Sequence, residues 1–156
     1  MTNHPRDDRV ESRTLQSAVD RAVKYFETIT PDSIAALGEI YSENCAFKDP
    51  FNAVSGLAAI QAIFSHMFVQ LDQPRFVVRE RVLQGDQAFL TWEFHFYFRR
   101  FQRGQAQCIL GASHLRFAGD GRIALHRDYW DAAEELYEKL PLLGGLMRAL
   151  KAQARG

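Results

Sequence analysis

Apolar positions recur every three to four residues up to Pro74 and every second residue after it, and this change of period separates a helical half from a sheet half. From Thr14 onward, Leu15, Val19, Ala22, Val23, Phe26 and Ile29 form one stripe, which predicts a first helix with Tyr25 beside its apolar face. Thr30-Pro31-Asp32 reads as a cap with proline in the first turn, and Ile34, Leu37 and Tyr41 mark the inner face of a second helix that ends near Ser42-Glu43-Asn44. Cys45-Ala46-Phe47 is a short strand. Gly56 then opens a third helix, with Leu57, Ile60, Ile63, Phe64, Met67 and Phe68 inside and Pro74 closing it.

Four strands follow. Arg75 to Leu83 sets Phe76, Val78 and Val82 against Arg75, Arg79 and Arg81, and Gln84-Gly85-Asp86-Gln87 turns the chain. Ala88 to Phe101 places Trp92, Phe94, Phe96 and Phe98 on one face and Thr91, Glu93, His95, Tyr97 and Arg99 on the other; such an aromatic face requires burial. Arg103-Gly104 turns the chain into Ala106 to Phe117, and Gly119-Asp120-Gly121 turns it again into Ile123 to Trp130. The last strand presents His126, Asp128 and Trp130 on one side, because alternate residues share a face.

Three helices followed by an antiparallel meander predict an α+β fold, with the helices packed on one face of a curved sheet and a space enclosed between them. The chain divides into a polar N-terminus, 1–13, that frays or wraps loosely, a folded unit, 14–131, and a C-terminal helical extension, 132–156. That extension carries Ala133, Leu136, Tyr137 and Leu140, breaks at Pro141 and resumes with Leu142, Leu143, Leu146, Met147 and Leu150. It would cover the enclosed space or pack on a partner subunit.

Composition narrows the reading. With 156 residues, 47% of them hydrophobic and twelve phenylalanines, the chain has material for one domain with a large core or pocket. Basic and acidic residues number 19 each, so no net field draws the chain to nucleic acid or to an anionic membrane. Cys45 and Cys108 have neither metal spacing nor disulfide density and read as reduced small residues. No apolar run reaches membrane-spanning length and Met1 to Arg13 lacks a secretory core, which gives a cytoplasmic location by default.

Candidate chemistry begins at Phe47-Lys48-Asp49-Pro50-Phe51. Proline keeps Asp49 extended, and a carboxylate between aromatics is poorly solvated, which strengthens it as a base; the same stretch also suits an ordinary Asp-Pro surface turn. Tyr25, Asp49, His126 and Asp128 can converge in a cup closed by a curved sheet. A carboxylate base and a hydroxyl donor are what proton abstraction next to a carbonyl needs. Ser113, Trp92, Phe94, Phe96, Phe64 and Trp130 would line the wall, whereas His95 and His114 belong to the outer sheet surface or a dimer interface.

Residues 14–131 resemble the ketosteroid-isomerase-like branch of the nuclear transport factor 2-like (NTF2-like), SnoaL-like superfamily. The resemblance rests on Lys24-Tyr25-Phe26, Phe47-Lys48-Asp49-Pro50-Phe51, Gly56 with Ile60, Leu115-Arg116-Phe117 before Asp120-Gly121-Arg122-Ile123, and Asp128-Tyr129-Trp130-Asp131. It implies a conical barrel that dimerises through its outer sheet face, with no cofactor and no metal. It also implies Tyr25 as oxyanion donor, Asp49 as proton shuttle and Trp130 as a wall against a small hydrophobic ligand. Ser113 and Phe64 stand where the isomerases carry a carboxylic acid and a tyrosine, and His126 with Asp128 adds polarity to the last strand, closer to the superfamily's cyclases and dehydratases. The expected function is proton-transfer chemistry (isomerase, cyclase or dehydratase) on a small apolar carbonyl compound. A non-catalytic ligand-binding module and a dimeric interaction domain are the alternatives.

Overall fold

The computed structural model describes residues 5–100, 102–137 and 152, and side chains from residue 13 onward. Helix α1 runs Pro5–Glu27 and buries Leu15, Val19, Ala22, Val23 and Phe26 of the expected stripe, together with Ala18, while Ile29 is buried just beyond its end. Its backbone is helical well before Thr14. A helix already anchored by its packed half extends at little cost, and Pro5 in the first turn loses no intrahelical bond.

The second predicted helix is shorter and tighter than the pattern suggested. Asp32–Glu39 is a 3-10 helix, started by a reciprocal pair in which Thr30 N donates to Ser33 Oγ (2.9 Å) and Ser33 N donates to Thr30 Oγ1 (3.2 Å). The spacing of Ile34 and Leu37 serves either helix type. The sheet decides where it stops, because Ile40 O accepts from Ile123 N (2.8 Å) and Tyr41 already belongs to strand β1, Tyr41–Lys48. A three-residue strand β2, Ala53–Ser55, pairs back on β1, and α2, Leu57–Gln70, follows.

Strands β3 (Leu71–Gln84), β4 (Gln87–Phe98), β5 (Gln107–Phe117) and β6 (Ile123–Tyr129) form the meander. The six-stranded sheet has the order β2-β1-β6-β5-β4-β3, all neighbours antiparallel except β1 with β6, which run parallel. Pro74 sits inside β3 and does not end the preceding helix. It is tolerated there because β3 is an edge strand and the proline falls at a bulge between Asp72 and Arg75, where Gln73 has φ of 50°.

A second bulge corrects the predicted faces of β3. Val78 pairs with Trp92 and Glu80 with Thr91, so Arg79 is the extra residue and the alternation changes phase there. Arg79 stays on the outer face with Glu93, but Arg81 pairs with inward Leu90 and reaches Asp20 of α1 at 2.6 Å. Val82, expected inside, pairs with Phe89 on the outer face and is exposed; Leu83 takes its place against the core. The concave face is covered by α1, the 3-10 helix and α2, with Leu37, Tyr41, Cys45, Ile60, Leu90, Leu115 and Ile123 fully buried.

After β6, Asp131 Oδ1 accepts from the backbone N–H groups of Ala133 (3.0 Å) and Glu134 (3.1 Å) and starts the short helix α3, Ala132–Glu135. The rest of the predicted extension, Leu140 to Leu150, lies outside the described residues. Among the described residues, no helix is long and apolar enough to cross a membrane.

Candidate functional site

A cavity of about 610 Å³ lies between α2 and the concave sheet. Its wall is mostly apolar, with Phe64, Met67, Phe76, Trp92, Phe94, Phe96, Ile109 and Trp130 prominent. Among the described residues, seven polar side chains reach it: Asp49, Asn52, His66, Gln70, Ser113, His126 and Asp128. Exposed Phe51, His66 and Gln70 mark its mouth, whereas Ser113 and His126 are buried in its wall.

Four of the predicted residues join in one hydrogen-bonded chain. The Trp92 indole N–H donates to Ser113 Oγ (2.9 Å), and Ser113 Oγ donates to Asp128 Oδ1 (2.5 Å). His126 Nε2 lies 2.7 Å from the same Oδ1, and His126 Nδ1 lies 2.6 Å from the Tyr41 hydroxyl. The direction of the chain fixes the protons. Burial raises the Tyr41 phenol well above its usual range, with the Asp128 charge adding to the effect, so Tyr41 keeps a proton that it can donate to Nδ1. Nε2 then carries the imidazole proton and donates to the carboxylate. Phe47, Phe26 and Tyr41 enclose the imidazole, with ring centroids 4.9, 5.6 and 5.8 Å away. Asp128 Oδ1 therefore takes both supporting bonds, while Oδ2 accepts none from the described residues.

Cross-strand register builds this chain. Ser113 pairs with Asp128 across β5 and β6, and Trp92 pairs with Gly111 across β4 and β5. The indole lies over Gly111 to reach Ser113 two residues along. A Cβ at Gly111 would stand 2.3 Å from the Trp92 ring, so only glycine admits this arrangement.

Asp49 also lines the cavity, but its carboxylate is engaged in its own turn. Oδ1 accepts from Phe51 N (2.7 Å), Asn52 N (2.6 Å) and Asn52 Nδ2 (3.0 Å), and Oδ2 accepts from Asn52 Nδ2 (3.0 Å). With Asp49 N donating to Asn52 O (2.9 Å), these bonds close the loop joining β1 to β2. Tyr25 is not among the lining residues. Its hydroxyl donates to Ser33 O (2.8 Å), tying α1 to the 3-10 helix. Phe64, Phe94, Phe96 and Trp130 stand in the wall, and Trp130 meets Phe51 edge to face at 5.5 Å. Leu136 reaches the cavity and Tyr137 packs on Phe51, so the beginning of the C-terminal segment contributes to the rim.

The pattern did not single out Tyr41 or Gly111. Tyr41 matched the helical spacing of Ile34 and Leu37, and its role depends on a residue 85 positions away. Gly111 stood in a strand interior, where a glycine signals close approach by another group.

Comparison with known proteins follows the same outline. The model of the SnoaL-like domain family matches residues 22–126. No curated protein matches the sequence. Among solved structures, an LEH-like epoxide hydrolase of M. tuberculosis superposes with a TM-score of 0.63 at 14% identity, covering 91% of this chain and 96% of its own. A hypothetical protein with a ketosteroid isomerase-like fold from Catenulispora acidiphila DSM 44928, in complex with trimethylamine, gives 0.65 at 15% identity, covering 76% and 88%. TerC, co-crystallised with polyporic acid, gives 0.65 at 16% identity, covering 78% and 94%. Likeness at such identities carries the fold alone.

Proposed function

The chain belongs to the SnoaL-like domain family, and from that premise we propose a small enzyme that moves a proton on an apolar carbonyl compound held in the cavity. The observation that carries the proposal is the asymmetry of Asp128. Oδ1 is held by Ser113 and His126, while Oδ2 faces no donor among the described residues, in a cavity with few polar groups. A carboxylate fixed at one oxygen is positioned to take a proton with the other.

Oδ2 removes a proton from the carbon beside the carbonyl, and the C–H electron pair passes to an enolate. The proton then returns to a second carbon, an isomerisation, or leaves with a hydroxyl group as water, a dehydration. Neither path consumes a redox equivalent. His66 and Gln70, on the mouth side, offer N–H groups to the enolate oxygen, a role for which the sequence favoured Tyr25. Asp49 serves the turn in this reading and Asp128 the chemistry. The fold hosts an epoxide hydrolase and a polyporic acid complex in other proteins, which supports a small-molecule site here.

The test is hydrogen exchange from a panel of apolar cyclic ketones in deuterated water, followed by mass spectrometry. Catalysed exchange is expected for the native chain, with a loss of at least roughly 100-fold in Asp128→Asn and retention in Asp49→Asn. Exchange at the background rate across the panel, or undiminished in Asp128→Asn, removes the proposal. We also infer a homodimer joined through the outer sheet face, supported by exposed Val82, Phe89, Leu110 and Tyr129. Sedimentation equilibrium at the mass of a single chain would refute it.

A further inference from the structure

The outer face of the sheet carries a second cluster, on the opposite side from the cavity. Glu93 and His95 are two residues apart on β4 and project from one side, and Cys108 of β5 lies directly across the ladder from His95. Glu93 Oε2 is 2.9 Å from His95 Nε2, and Cys108 Sγ is 4.0 Å from the same nitrogen. All three donor atoms lie within 4.8 Å of one another, and all three residues are partly exposed, so an ion has access.

The donor set is specific. Carboxylate, imidazole and thiolate together suit zinc-class cations, whereas magnesium and calcium take oxygen alone. A tetrahedral zinc with bonds of about 2.0–2.3 Å keeps its donors roughly 3.3–3.7 Å apart, so the Glu93–His95 and His95–Cys108 pairs need to shift by less than about 1 Å and the Glu93–Cys108 pair by no more than about 1.5 Å. Two ligands on one strand and the third on its hydrogen-bonded neighbour make a rigid frame.

Arg79 completes the surroundings. Its Nε and Nη2 each donate to Glu93, at 2.9 Å. On binding, Oε2 exchanges its protein donors for the cation while Oε1 keeps Arg79 Nε, the outer-shell bond a metal-bound carboxylate commonly makes. With carboxylate and thiolate both anionic and Arg79 cationic, the cluster still presents one net negative charge to a divalent ion.

We propose that Glu93, His95 and Cys108 form a binding site for a zinc-class divalent cation, with the fourth coordination position left free by this chain's own residues. His95 binds through Nε2 as the neutral imidazole with its proton on Nδ1, and the Cys108 thiol proton is released to solvent.

Cobalt(II) titration of the purified full-length chain tests the site, followed by displacement with zinc. The expected result is one equivalent of cobalt bound with a thiolate-to-metal charge-transfer band that zinc abolishes. Cys108→Ser should remove the band, and His95→Ala and Glu93→Gln should each weaken zinc binding by roughly tenfold or more, with unchanged circular dichroism showing that each variant is folded. Absence of the band in the native chain overturns the site. So does a band that survives Cys108→Ser, or zinc affinity unchanged in folded His95→Ala.

Discussion

A single methyl group at position 111 decides where the Trp92 indole can lie, because the ring already occupies the space a Cβ would take. Gly111→Ala is expected to push the indole off Ser113 and to cost about 1–3 kcal/mol of stability through overpacking; urea denaturation and the Trp92 indole N–H resonance would read both effects. Tyr41→Phe should cost a similar amount, about 1–3 kcal/mol, by leaving buried His126 Nδ1 without its donor. Nitrogen-15 NMR of the native chain should find a proton on His126 Nε2, the donor to Asp128. At this scale the sequence was partly legible. Alternation alone put His126 and Asp128 on one side of β6, and the aromatic stripe put Trp92 on the inner face. Tyr41 and Gly111 were not legible, since each acquires its meaning from a partner on another strand.

At the level of elements, turn and bulge chemistry explains where pattern and structure part. The aromatic neighbours of Asp49 suit a base, while Phe51 N, Asn52 N and Asn52 Nδ2 donate to its carboxylate within the turn. Asp49→Ala is therefore expected to lower stability by about 1–2 kcal/mol through loss of these turn bonds, while hydrogen exchange on a substrate ketone stays within roughly threefold of the native rate. Equilibrium denaturation and the exchange assay separate the two effects. The phase change at Arg79 was invisible to a strict period of two. Val82 and Arg81 exchanged faces because one extra residue entered the ladder, and no composition signal marks such an insertion. The 3-10 helix differs for another reason: the three-residue spacing of Ile34 and Leu37 fits two helix types, and the claim of β6 on Ile40 ends it.

For the whole molecule, α+β class, helix side and aromatic lining followed from the one change of period, while the strands at the β1 edge did not, because β1 pairs with the far end of the chain. Stability should decline in alkali. The Cys45 thiol is pushed up from 9.0 to about 12 by burial, and the Tyr41 phenol lies above its ordinary 10.0. In the window between unfolded and folded values the unfolded chain gives up a proton that the native state keeps. Stability therefore falls as pH rises past about 9, by about 1.4 kcal/mol per pH unit for each group. Urea midpoints at about pH 8 and about pH 10.5 should show the decline, and Cys45→Ala should flatten its first part. The parallel pairing of β1 with β6 has one more consequence, for the order of events during synthesis. Tyr41 waits for His126 until the last strand of the sheet has left the ribosome, so a nascent chain cut before Ile123 holds three of the five members of the polar chain and a β1 strand paired only to β2. Closing that long loop is the slow, entropically costly step of folding, and the step that completes the sheet is also the one that assembles the candidate site.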